Sequence, residues 1–142
     1  MNTNKIQLTF SSVSENESFA RVVIGCFALR LNPSIAEISD IKTAVSEAVT
    51  NSIVHGYPNQ IGDILLTAEI IDNELHIGIF DKGVGISNVE QAIEPFFTSK
   101  PDEERSGMGF TIMKSFMDNV TVNSKVGEGT SVYMCKKIKV NE

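Results

Sequence analysis

The stretch Val45-Ser46-Glu47-Ala48-Val49-Thr50-Asn51 reads as the middle of a long helix whose two sides do different work. Ile38, Ile41, Val45, Val49 and Ile53 recur at helical spacing, a stripe that should face a core. Glu47 and Asn51 are four residues apart and stack on another face. They share it with Ala44 and Ala48, so little bulk shields them. A carboxylate and a carboxamide on such a face suit a metal-bound nucleotide, although a lone pair of this kind is more often simply solvated. The helix starts after the break at Asn32-Pro33-Ser34 and runs to His55. Gly56 is placed to end it as a C′ residue.

Working outward, Ile6-Gln7-Leu8-Thr9-Phe10 alternates as a half-buried strand does. Ser14-Glu15-Asn16-Glu17 reads as a capping box opening a first helix. That helix carries Phe19, Val22, Val23, Cys26 and Phe27 as its apolar stripe and ends near Leu31. Arg21 lies off this stripe and is expected to be exposed. Beyond the central helix, a loop through Pro58, Asn59, Gly62 and Asp63 leads to two alternating runs, 64–71 and 75–80. They are joined at Asp72-Asn73-Glu74 as a hairpin, and the second run ends at Asp81.

From Asp81 to Gly109 the regular pattern stops. Glycines, Pro95, Pro101 and the charged Lys100-Pro101-Asp102-Glu103-Glu104-Arg105 predict a functional lid over about residues 86–106, with a short helical piece near 89–93. A helical stripe of Phe110, Ile112, Met113, Phe116 and Met117 follows. Val120-Thr121-Val122 is a strand, Lys125 to Gly129 a turn, and 130–138 a last alternating strand. The order β, α, α, β, β, lid, α, β, β predicts an α+β fold. It is a two-layer sandwich with helices on one face of a mixed, mostly antiparallel sheet. Its 142 residues are expected to make a single domain.

Apolar residues are 42% of the chain and the net charge is -6, so a folded globule is expected and direct nucleic-acid binding is disfavoured. An acidic surface suits a basic protein partner. Cys26 and Cys135 form no close motif and read as two reduced, buried thiols. The start of the chain has no apolar signal core, and no run is long enough to span a membrane, so a cytoplasmic location is expected.

Three glycine motifs follow the Glu47/Asn51 pair. Asp81-Lys82-Gly83-Val84-Gly85 comes directly off a strand. Its glycines allow a sharp turn, and its carboxylate can accept a hydrogen bond from an exocyclic amine such as that of adenine. Gly107-Met108-Gly109-Phe110 opens a helix whose free N–H groups form an anion site suited to a triphosphate. Arg105, just before it, can grip a terminal phosphate bidentately. Neither the Walker nor the Rossmann fingerprint is present. Gly127-Glu128-Gly129-Thr130 adds a late turn with a hydroxyl. Each motif alone is an ordinary turn or helix start.

Taken together and in this order, the set resembles the nucleotide-binding boxes of the GHKL-type ATPase and kinase superfamily, over nearly the whole chain. Ser46-Glu47-Ala48-Val49-Thr50-Asn51, His55-Gly56-Tyr57, Pro95-Phe96-Phe97-Thr98-Ser99-Lys100-Pro101 and the run from Glu104 to Met113 resemble, more narrowly, the anti-sigma-F factors of endospore-forming bacteria. Those are serine kinases acting on a small anti-anti-sigma protein. The resemblance implies ATP or ADP and Mg²⁺ as ligands, with Asn51 on the metal and Glu47 as general base. It also implies Asp81 on adenine, Gly83 and Gly85 shaping that pocket, and Thr130 supporting the base. Gly107, Met108 and Gly109 would present backbone donors to the phosphates, Arg105 would reach the γ-phosphoryl group, and Lys100 is a weaker phosphate contact. The implied partners are a sporulation sigma factor, the anti-anti-sigma substrate and a second copy of the chain. Arg21, on the exposed face of the first helix, is expected to belong to a shared partner-binding surface. Three alternatives remain open: the same kinase type acting on a general-stress sigma factor, a non-catalytic module gated by ATP or ADP, and a plain ATPase fragment of a larger machine. A histidine kinase is disfavoured, because neither His55 nor His76 lies on a separate dimerisation helix.

Overall fold

The structure is a computed structural model that describes residues 3–86, 89 and 109–139. Five strands form one sheet: β1 (Thr3–Ser11), β2 (Asp63–Ile71), β3 (Glu74–Asp81), β4 (Asn119–Lys125) and β5 (Gly129–Lys137). Their spatial order is β1-β2-β3-β5-β4. The fold is the expected α+β sandwich. All four pairings are antiparallel, so the described sheet contains none of the parallel pairing that a mixed sheet allows. The β2–β3 hairpin turns on Asp72-Asn73 between the paired Ile71 and Glu74, and Asp72 takes the left-handed φ of 53° that such a short link requires.

The helices are α1 (Glu15–Ala28), α2 (Ile35–Asn51) and α3 (Gly109–Phe116). Alternation along the strands drives one sheet face into the core. Leu66, Ala68, Leu75, Ile77, Ile79, Val132 and Met134 are all buried, and they share one cluster with Ile24 and Phe27 of α1, Ile41, Val45 and Val49 of α2 and Met113 of α3. The central stripe of α2 therefore faces the core as expected. Ala44 and Ala48 are also fully buried, which corrects the expectation of an open small-residue face. α2 packs against both α1 and α3.

α1 departs furthest from its sequence reading. Its buried face is Ala20, Ile24, Gly25, Phe27 and Ala28. Phe19, Val22, Cys26 and Leu29 are exposed instead, so Cys26 is a surface thiol and not a buried one. The Ser14 box does not form: Ser14 is helical in φ/ψ and makes no side-chain cap bond. The capping box lies at the start of α2. There Ser34 Oγ accepts from the Glu37 N–H at 3.1 Å, and the Glu37 carboxylate accepts from the Ser34 N–H at 2.9 Å. The second Glu37 oxygen accepts from the Lys139 amide at 3.0 Å. These amides hold the Glu37 carboxyl below its ordinary pKa.

Freed from capping, Glu17 does something else. It accepts from Ser46 Oγ of α2 at 2.8 Å and lies 3.4 Å from Arg21 Nε, one turn along α1. Arg21 is thus half-buried in an ion pair and not fully exposed.

Candidate functional site

α2 ends its regular turns at Asn51 and continues as a wide five-residue turn, Ser52–Gly56, in which the Tyr57 N–H returns to the Ser52 carbonyl at 3.1 Å. Gly56 is therefore the last residue of this turn and not a left-handed C′ residue. The turn delivers three groups to the end of β3. Ser52 Oγ donates to Asp81 Oδ2 at 2.9 Å. The Gly56 carbonyl accepts from the Val84 N–H at 2.9 Å. The Tyr57 hydroxyl donates to the Asp63 carbonyl and accepts from the Lys82 N–H, both at 2.7 Å.

Asp81, the last residue of β3, is 7% exposed. Besides Ser52, it accepts from the Gly83 amide at 3.0 Å. Burial raises its pKa, while the Gly83, Ser52 and Thr130 donors pull the other way. Three donors leave one acceptor position of the carboxylate for a ligand amine.

The loop after Asp81 is built on its glycines, though for a reason other than ligand clearance. A Cβ on Gly83 would lie 1.9 Å from the Gly56 carbonyl oxygen, so the glycine is needed for the loop to close on the end of the α2 turn. Gly85 has a φ of 77°, and a Cβ there would meet the Lys125 carbonyl at 2.2 Å, which ties the loop to the β4–β5 turn. Gly83→Ala should cost about 1–3 kcal/mol as overpacking and lower the chemical-denaturation midpoint. An unchanged midpoint would mean the two segments can separate freely.

Thr130 pairs with Asp81 in the β3–β5 register. Its hydroxyl lies 2.8 Å from Ser124 Oγ, which also donates to the Gly129 carbonyl and accepts from the Ile86 amide. Ser124 thus fastens the start of the segment after Gly85 to the sheet.

At the other end, Glu47 and Asn51 face the first residue of α3. A methyl group on Gly109 would sit 3.1 Å from Asn51 Nδ2, 3.3 Å from Asn51 Oδ1 and 3.4 Å from Glu47 Oε2. The structure therefore gathers Glu47, Asn51 and Gly109 at one end, and Asp81, Gly83, Gly85 and Thr130 at the other. Arg21 belongs to neither group. Lys100, Arg105, Gly107 and Met108, with nearly all of the expected lid, lie outside the described residues. Sequence reasoning missed Ser52, Tyr57 and Ser124. His55-Gly56-Tyr57 stands out in the sequence as a motif, but nothing in its spacing signals the tyrosine's two backbone bonds.

The chain is similar in sequence and fold to known proteins. The family described as histidine kinase-like ATPase domain matches residues 10–136. An anti-sigma F factor from Clostridium acetobutylicum is 55% identical over 139 residues, covering 98% of this chain and 97% of that one. Another from Clostridium beijerinckii is 55% identical over 141 residues, covering 99% of each. The solved structure of the RsbU and RsbW domains of a Mycobacterium tuberculosis protein superposes with a TM-score of 0.68 at 16% identity. That match spans 95% of this chain and 32% of the other, a likeness of fold.

Proposed function

The chain belongs to the histidine kinase-like ATPase domain family, among the anti-sigma F factors, and from that membership we propose that it is an ATP-dependent protein-serine kinase that also sequesters a sigma factor. The observation that carries the kinase reading is the position of Glu47. Its carboxylate is beside Asn51 and against the start of α3, where a helix N-terminus favours phosphate.

The donor set suits a magnesium nucleotide. Asn51 offers a hard carboxamide oxygen beside a carboxylate, the ligand type Mg²⁺ takes while keeping several waters. Asn51 would hold the ion, which neutralises charge on the phosphoryl group in transfer. Asp81 binds the adenine amine from its dry pocket, with Thr130 supporting the base and Gly83 and Gly85 shaping the turn. Glu47 accepts the proton of the attacking serine hydroxyl. The Gly107, Met108 and Gly109 amides receive the phosphates, assisted by Arg105 and more weakly by Lys100.

The protein partners are a sporulation sigma factor and an anti-anti-sigma substrate, met by a cytoplasmic homodimer. Arg21 contributes to that surface. Its pairing with Glu17 is an ion-pair distance on a side chain 42% exposed, which contributes at most about 1 kcal/mol to the fold. Arg21→Ala should therefore leave thermal stability within a few degrees and weaken capture of both partners. Unchanged capture would remove Arg21 from the surface.

The test of the whole reading is incubation with γ-labelled ATP, Mg²⁺ and the candidate anti-anti-sigma protein, followed by phosphosite mapping. Label on one serine of the partner is the expected result. Tight nucleotide binding without transfer would favour the nucleotide-gated binding module.

A further inference from the structure

The sheet face opposite the helices carries a cluster that nucleotide chemistry does not use. Glu74 and His76 are two apart on β3, so they project to the same side. His76 is paired in register with Cys135 of β5. A carboxylate oxygen of Glu74, an imidazole nitrogen of His76 and the Cys135 sulfur all lie within 4.8 Å of one another. All three residues are half-buried. We propose that Glu74, His76 and Cys135 form a binding site for a thiophilic divalent cation, Zn²⁺ by preference.

Ligand chemistry selects the ion. One thiolate, one imidazole and one carboxylate are the donors zinc takes, and three protein ligands leave a fourth position for water or another ligand. A hard cation such as Mg²⁺ would not favour sulfur. There is room for the fourth ligand, because a hollow of about 280 Å³ is lined by His76 and Cys135 together with Glu69, Asn119 and Tyr133. The surrounding charge also suits a cation. Glu69 is directly across from His76 on β2, and Asp118 acts electrostatically on Cys135. Lys137, across from Glu74, and Lys5, across from Glu69 on β1, are opposing charges, and both are exposed.

Without metal, Cys135 donates its S–H to Glu74 Oε1 at 3.4 Å and His76 Nε2 is 3.9 Å from the same oxygen. Burial and the two carboxylates hold the thiol protonated, with its pKa pushed up to about 11. On binding, the cation takes the place of that proton, which leaves to solvent as the Zn–S bond forms. The three ligands are already gathered by the β3–β5 ladder, so little ordering accompanies binding.

The experiment is a titration of the chelator-stripped, nucleotide-free full chain with Zn²⁺ alone against a chromophoric competitor, repeated with Co²⁺. One Zn²⁺ per chain is expected, with a sulfur-to-cobalt charge-transfer band in the Co²⁺ form. Cys135→Ser should lose the band. Both Cys135→Ser and His76→Ala should bind at least ~100-fold more weakly, since loss of even an outer partner costs about 10–100-fold. Cys26→Ser, which changes the exposed thiol, should behave as the parent. Substoichiometric zinc in the parent, or parental affinity and an unchanged band in Cys135→Ser, would overturn the site. Circular dichroism of metal-free Cys135→Ser checks its fold. Should it fail to fold, His76→Ala decides by affinity, and parental zinc affinity there also overturns the site.

Discussion

Glu47→Gln protein is expected to bind Mg-ATP as the parent does and to transfer phosphate about 10²–10⁴-fold more slowly. The substitution preserves side-chain size where Glu47 is half-buried between α2 and the start of α3, so packing should survive. What disappears is the basic oxygen proposed to take the serine proton. Single-turnover label transfer, run beside a nucleotide-binding titration, separates the two effects. Undiminished transfer would place the base elsewhere. A matching fall in nucleotide affinity would recast Glu47 as a residue that holds the pocket open.

Asp81→Asn is expected to have the opposite profile, with adenine-nucleotide affinity reduced about 10- to 100-fold. That follows from a hydrogen bond to a charged acceptor contributing about 1.5–3 kcal/mol. Asparagine also presents an N–H where the Ser52 hydroxyl and the Gly83 amide both donate now, so one of those bonds must rearrange. The same residue sets a pH dependence. Its folded pKa is raised by burial, so between its ordinary value of about 4 and the raised value the native state binds a proton that the unfolded chain has lost. Native stability therefore falls as pH rises through that window and is regained on acidification. The parent should gain stability relative to Asp81→Asn as pH is lowered from neutral through it. Denaturation midpoints of the two proteins at several pH values test this, and parallel curves would contradict the burial of the charge.

The residues differ in how openly the sequence announced them. The hairpin at Asp72-Asn73 and the core stripe of α2 were legible because each has one clear period. The face of α1 was not. Phe19, Val22, Val23, Ile24, Cys26 and Phe27 nearly encircle that helix, so periodicity cannot choose a side. The choice is made by small residues: a Cβ at Gly25 would lie 3.2 Å from Lys42 Cδ of α2, and Ala20 and Ala28 are fully buried. Ser14 and Ser34 both stand three residues before a glutamate. Only the second caps, because Glu17 is drawn to Ser46 and Arg21. In the site, Glu47 and Asn51 were legible as polar groups four apart on one helix face, and Asp81 as a carboxylate at a strand end. Ser52 and Tyr57 were not, since their roles arise from a helix that widens after Asn51, and a helical wheel drawn from sequence assumes that it does not.

That widening works as a change of phase. In an α-helix the residue four positions on comes back over its predecessor, which would set Gly56 above Ser52 and leave Tyr57 rotated away. Closing the turn one residue later brings Tyr57 into line with Ser52, so one reaches the Asp81 carboxylate and the other the amide that follows it. The two ends of the nucleotide pocket are therefore kept in register by the count of residues between Asn51 and Tyr57 as much as by their identities. A variant can change many side chains in that interval and keep the alignment, whereas losing a single position would put the Asn51 end and the Asp81 end out of step while leaving both chemically intact.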